Sequence, residues 1–220
     1  MKPFDLILRL FTHIALVPML LSLSFAACSM APKKIVDWPA KEGAVINTET
    51  GEPIEGAYVI GHWRGSTFGK TVCFHAEGTR SDSEGRFVFP AWRNEDRFNQ
   101  TSHQYDTTRA YKRGYREDGG KTYRISMVPF IGSREERLEY LRALAGGCHH
   151  AGASNRNLYS FYEAIYLEAK SLAVLPAEVK ALNSLQYAVA SSAVARDDEM
   201  DMDIEEFRRL RESYIREYLQ

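Results

Sequence analysis

The hydrophobic period of this chain changes near residue 130, and that change limits the folds open to it. Before it, apolar residues recur at every second position: Val45, then Ala57, Val59, Gly61 and Trp63, then Phe87 and Phe89. Period two places alternate side chains on one face of a strand. After it, apolar residues recur at three and four: Leu138, Leu141 and Leu144, then Leu158, Phe161, Ile165, Ala169 and Leu172. That spacing lines one face of a helix. Strands gathered in one half and helices in the other predict an α+β fold, an N-terminal antiparallel β-sandwich followed by a C-terminal helical region.

Turn residues divide the first half into short strands. Thr50-Gly51-Glu52-Pro53 separates the first two, because Gly and Pro supply the backbone angles of a turn. Thr71 to Ala76 reads as another strand. Asp82-Ser83-Glu84-Gly85 is a hairpin-type turn, after which Arg86-Phe87-Val88-Phe89 returns with both Phe rings on one face. Pro90 ends that strand or marks a sheet edge. Ala110-Tyr111-Lys112 and Tyr123 to Val128 read as later strands, beyond a polar insert between Pro90 and Arg109.

Four stretches stand in order: Gly43-Ala44-Val45, then Thr50-Gly51-Glu52-Pro53-Ile54-Glu55-Gly56-Ala57-Tyr58-Val59, then Thr79-Arg80-Ser81-Asp82-Ser83-Glu84-Gly85-Arg86-Phe87, then Lys112-Arg113-Gly114-Tyr115. Together they resemble the carboxypeptidase regulatory-like domain, whose hallmarks are a "tG-P-GA-V" turn, a "T-D-x-x-G-x-F" hairpin and a late "GY". The resemblance covers about 85 residues and implies a small transthyretin-like β-sandwich. It also implies an accessory role, since that domain is named for its place beside a metallopeptidase. The motif glycines and Asp82 read as turn formers. A peptidase zinc site would need His-Glu-x-x-His or His-x-x-Glu; the chain offers only His75-Ala76-Glu77 and His103-Gln104-Tyr105-Asp106.

The second half opens with Ser133-Arg134-Glu135-Glu136, the spacing of a capping box. Gly146-Gly147 stops that helix, and Cys148 to Asn155 reads as a loop. A second helix runs from about Asn157 to Val174. Pro176 suits the first position of a third segment carrying Val179, Leu182, Leu185 and Val189. A last helix follows Asp203, with Ile204, Phe207, Leu210, Tyr214 and Tyr218 on its apolar face. Its Arg208, Arg209, Arg211 and Arg216 are matched by Glu205, Glu206, Glu212 and Glu217, the pattern of a solvated, ion-paired face. These helices either complete the core or present a docking surface.

The N-terminus reads as a targeting segment. Lys2 and Arg9 precede a run from Leu10 to Ala27 that is almost wholly apolar and ends in small residues. Leu23-Ser24-Phe25-Ala26-Ala27-Cys28-Ser29 resembles the bacterial lipobox, in which the Cys is lipidated and becomes the new N-terminus. Phe25 stands where an aliphatic residue is usual. By that resemblance Ser29 favours the outer membrane, facing the periplasm. The physics agrees, since two or three acyl chains anchor stably where one does not. An uncleaved apolar helix and an ordinary cleavage site after Ala26 are the alternatives. The expected organisation is signal peptide 1–27, tether 28–40, β-sandwich 41–130 and helical region 131–220.

With Cys28 carrying lipid, Cys73 and Cys148 remain as an even pair in an oxidising compartment. A bridge between them would close a long loop, worth about 4 kcal/mol in the chain-entropy account. Buried free thiols are one alternative. A metal set drawn from Cys73, His75, Cys148 and His149 is another, with Cys73 and His75 expected on one face of a strand.

Charge and motifs narrow the function further. The chain has a net charge of −1, and removing Lys2, Arg9 and Asp5 with the leader leaves −2. That gives no broad attraction for nucleic acid. Gly69-Lys70-Thr71 lacks the spacing of a phosphate loop, and no Ser-His-Asp elbow is visible. Trp63, Trp92 and Tyr111 read as sandwich core or as an aromatic surface for glycan or peptide. The expectation is a non-catalytic envelope lipoprotein with no cofactor, held at the membrane by its lipid and engaging envelope protein or glycan. An assembly lipoprotein of a secretion system, by analogy of fold, and a metal-binding protein are the alternatives.

Overall fold

A computed structural model of the protein describes residues 34–67, 70–96, 103–146, 158–195 and 204–219. The chain is α+β, with strands first and helices after them. The strands are β1 (Lys34–Trp38), β2 (Lys41–Asn47), β3 (Tyr58–Thr67), β4 (Lys70–Arg80), β5 (Arg86–Phe89), β6 (Trp92–Asp96), β7 (His103–Tyr111), β8 (Tyr115–Lys121) and β9 (Arg124–Pro129). The helices are α1 (Arg134–Ala143), α2 (Tyr159–Leu172), α3 (Pro176–Lys180), α4 (Asn183–Val194) and α5 (Ile204–Tyr218).

Three sheets are formed, ordered β5-β2-β9-β8, β4-β3-β7 and β1-β6. β2 runs antiparallel to β5 and parallel to β9. The four-stranded and three-stranded sheets enclose an aromatic core of Val45, Val59, Trp63, Phe74, Phe87, Phe89, Ala110, Ile125 and Met127. β1 and β6 add Val36 and Trp92 to it. The other face of the three-stranded sheet contributes Ile60, Ala76 and Tyr111 to a second core, built with the helices. This sheet is therefore a middle layer. Its central strand reads accordingly: every residue from Val59 to Trp63 is buried, as expected for a strand covered on both faces. Sheets and helices fall in one contact unit, Ile35–Gln220.

The turns form as the sequence predicts. Asp82 accepts from the backbone N–H groups of Glu84 (2.9 Å) and Arg86 (2.8 Å), and these bonds hold its carboxyl below its ordinary pKa. Gly85 has φ +71°, and a Cβ there would stand 2.6 Å from the Val45 carbonyl oxygen. Only Gly accommodates both the angle and the approach.

Four local features depart from the sequence reading. Residues 34–38 form β1 rather than a tether, because Val36 is buried and Trp38 stacks on Trp92 at 6.3 Å between ring centroids. The polar insert holds β6, anchored by Trp92, and the start of β7. β8 has a polar sequence that hides its strand; it pairs with β9 through an irregularity between Glu117 and Gly120. In β4, His75 stands opposite Trp63 and Cys73 opposite Arg64, so Phe74 is an extra residue in the ladder. This bulge flips the alternation. Cys73 packs on the helical core, whereas His75 lies against Trp63 and Trp92 of the aromatic core. The two do not share a face.

The helices follow their apolar stripes. Ser133 and Glu136 make the capping box, with Ser133 Oγ accepting from Glu136 N (3.2 Å) and Glu136 accepting from Ser133 N (2.7 Å). Leu138, Leu141, Phe161, Ile165 and Ala169 are buried. Ala188 to Ala190, with Ser191 and Ser192, lie fully inside, so the small-residue run of α4 permits close packing on its neighbours. On α5, Phe207 is buried while Tyr218 is 67% exposed.

Candidate functional site

A cleft of about 400 Å³ opens where the ends of β3 and β7 meet α2. Tyr111 and Glu168 line its floor, and Glu168 is held there by Arg137, which does not itself line the cleft. Arg137 lies on α1 beside Leu138, and Glu168 lies on α2 beside Ala169. Their side chains are 6% and 9% exposed. Arg137 Nε donates to Glu168 Oε1 (2.9 Å) and its Nη2 to Oε2 (3.0 Å), a two-point pairing that matches guanidinium to carboxylate. Arg137 also donates through Nη1 to the Tyr115 carbonyl oxygen, and its guanidinium lies over Phe130 and Tyr140. Tyr111, the last residue of β7, donates to Glu168 Oε2 at 2.5 Å. Burial, then the hydrogen bond and charge of Glu168, push the Tyr111 hydroxyl far above its ordinary pKa. The floor is thus a set of groups that satisfy one another.

The walls and rim differ in character. Tyr58, Ala164 and the half-exposed Leu167 give apolar walls. The Tyr58 and Tyr111 rings stand 6.1 Å apart, and the Arg80 guanidinium lies 3.9 Å from the Tyr58 ring centroid. Lys112 Nζ donates to the Glu55 carbonyl oxygen at 2.6 Å. Arg113 is exposed at the rim, and its charge is felt at the Tyr111 hydroxyl. Glu163, on the α2 side, accepts from Tyr159 at 2.6 Å.

A second network ties α1 to the α2–α3 turn. Arg134 Nη1 donates to Glu178 Oε2 (2.9 Å) and Nη2 to Oε1 (2.8 Å). Glu178 also accepts from the backbone N–H groups of Val174 and Leu175, each at 2.9 Å. The Arg134 hydrogen bond, then those of Leu175 and Val174, lower the Glu178 carboxyl to about pKa 2.

The residues singled out from sequence fall in several places. Cys28, Cys148, His149 and His150 lie outside the described residues. Cys73 is partly buried against the core that includes Leu144 and Ala145. His75 stacks on Trp92 with ring centroids 4.8 Å apart, and its Nε2 is 3.4 Å from Glu77 Oε2. Trp63 and Trp92 are buried at 1% and 8% exposure, which makes them core rather than surface. Tyr111 is buried too, but its hydroxyl reaches the cleft floor. Among the described residues, no three His, Cys, Asp or Glu side chains gather as metal ligands, and no helix is long and apolar enough to cross a membrane.

Sequence reasoning missed Arg137 and Glu168. The signal was present: each charge sits within the apolar stripe of its helix, and the two signs are opposite. Such a pair on successive helices is the pattern of a buried ion pair, because an unpaired charge inside is too costly to keep.

No family model matches the chain, and no curated protein does. Among solved structures, a 9R-lipoxygenase from Cyanothece PCC8801 aligns at 11% identity with a TM-score of 0.20. The alignment covers 74% of this chain and 30% of that one, a likeness too slight to relate the two folds.

Proposed function

We propose that the protein is an exported lipoprotein, anchored through lipid on Cys28, whose body is a non-catalytic binding module of the cell envelope. The observation that carries the binding reading is the Tyr111 cleft. Its floor groups are engaged with one another, and the Tyr111 proton is held far from any working range, so the floor is built for rigidity. Its walls and rim offer the apolar and charged surfaces that recognition uses.

The anchor rests on the sequence around Cys28 and on the apolar run before it. By the lipobox resemblance, Ser29 after the Cys favours the outer membrane, facing the periplasm. The carboxypeptidase regulatory-like resemblance is supported by Gly51 and Gly85, which take positive φ at its motif positions, and by the two facing sheets. A Cys73–Cys148 disulfide belongs to the same reading. It is favoured by Cys73 packing on a core that includes Ala145, three residues before Cys148.

Two measurements test this. Intact mass of the protein from its own envelope should match a chain beginning at lipidated Cys28, with Cys73 and Cys148 alkylated only after reduction. An unlipidated mass removes the anchor, and thiols that alkylate without reductant remove the bridge. A photoreactive residue at position 167 should cross-link to envelope material in cells; absence of any adduct would remove the binding cleft.

A further inference from the structure

We propose that the Tyr111 cleft takes a carboxylate-bearing sugar, with the pyranose against Tyr58 and Leu167 and the carboxylate between Lys112 and Arg113. The inference rests on the binding reading above and names its ligand class.

The charge balance at the mouth is the first argument. Lys112 and Arg113 line the mouth, and the Arg80 guanidinium, at the end of β4, lies over the Tyr58 ring beside it. Against them stand two carboxylates, and both are engaged. Glu168 is saturated by Arg137 and Tyr111, while Glu163 accepts from Tyr159. The Arg137–Glu168 pair is neutral as a unit, so the net field at the rim is positive and favours an anion. Arg113 makes no ion pair among the described residues. Lys112 uses one donor on the Glu55 carbonyl oxygen, and an ammonium has three.

The walls give the second argument. A free inorganic anion needs donors on several sides and gains nothing from apolar walls. Here Tyr58 on the sheet side and Ala164 and Leu167 on the α2 side give apolar surface among polar groups. A pyranose offers both kinds of surface, with C–H groups on its faces and hydroxyls around its edge. The volume of about 400 Å³ suits one or two sugar rings. The overall negative charge of the chain argues against a polyanion spread over the surface.

The test uses the intact protein in nonionic detergent, titrated with N-acetylmuramic acid and with N-acetylglucosamine, which lacks the lactyl carboxylate. Binding is read by NMR shifts of cleft residues and by calorimetry. The acid should bind at least about tenfold more tightly than the neutral sugar, a difference near 1.4 kcal/mol. Arg113→Ala should abolish that preference, and Arg113→Lys should keep part of it. Inorganic phosphate should not compete at equal concentration. Equal affinity for both sugars, an unchanged preference in Arg113→Ala, or full competition by phosphate would overturn the inference. Failure of both sugars to bind also overturns it. The cross-link at position 167 then separates the cases: an adduct leaves the cleft as a binding site for another ligand, and no adduct removes both readings.

Discussion

The two faces of the middle sheet meet cores of different chemistry. Toward the four-stranded sheet the packing is aromatic, with Trp63 edge-on to Phe89 at 5.5 Å and to Trp92 at 5.7 Å, and Phe87 against Phe89 at 5.4 Å. Toward the helices the packing is aliphatic and aromatic around one buried ion pair, Arg137–Glu168, and it opens into a cleft through Tyr111. The first core is held chiefly by area and shape, with one polar contact, His75 to Glu77, beside its Trp rings. The second gives up part of that simplicity to hold charge inside, and a buried ion pair is a poor device for stability. A region that keeps such a pair beneath an open cleft is arranged to fix side chains in place. The contrast teaches where to look for function: on the helix side of the middle sheet.

The largest expected effects test each core separately. Phe89→Ala should cost about 3–5 kcal/mol in denaturant unfolding, through lost transfer energy and an unfilled space between the sheets. It should leave the NMR shifts of Tyr58 and Leu167 near their original values. Movement of those shifts as large as at Phe87 would mean that the two cores are not independent.

Glu168→Ala should cost a similar amount, about 3–5 kcal/mol, because it leaves Arg137 charged and buried. The double variant Glu168→Leu with Arg137→Met should recover most of that loss while erasing the cleft's ligand preference. If the double variant stays as unstable as Glu168→Ala, the pair matters for packing rather than for charge. If it keeps the preference, the floor does not position the rim.

A smaller effect is expected at the start of the helical half. Ser133→Ala removes one member of the capping box and should cost about 1 kcal/mol by the same unfolding measurement. No change would mean that tertiary packing alone holds the first turn of α1.

The smallest effect is a pH dependence outside both cores. Glu178 has its pKa lowered to about 2 from an ordinary 4.5, chiefly by Arg134. A lowered carboxyl contributes stability above its unfolded pKa and loses it as pH falls. Unfolding followed from pH 6 to pH 2 should therefore show a contribution present above about 4.5 and fading toward about 2, absent in Glu178→Gln. Parallel pH curves for the two proteins would contradict the Arg134–Glu178 tie.

Much of this architecture is legible in the sequence, and the gaps have physical causes. The period change near 130, the Asp82–Gly85 turn and the Ser133 capping box are local signals, and each forms where expected. β1 and β6 are short and gain their place from Trp38 and Trp92 meeting Trp63, a contact between distant segments. β8 is nearly all polar because it lies at a sheet edge. The bulge at Phe74 has no sequence mark, so a period of two puts Cys73 and His75 on one face where the fold puts them on opposite ones. The cleft needed Tyr111, Arg137 and Glu168 together, from one strand and two helices, and only the fold unites them. In the sequence Tyr111 stands out for its ring, whereas its hydroxyl is what reaches the floor.

The most direct test of the central claim compares the two outer sides in living cells. A photoreactive residue is placed at position 167, on the helix side, or at position 88, where Val88 is 51% exposed on the sandwich side. Cross-linked adducts with envelope material should form from position 167 and be several-fold fewer from position 88. Equal yields, or adducts mainly from position 88, would contradict the assignment of function to the Tyr111 cleft.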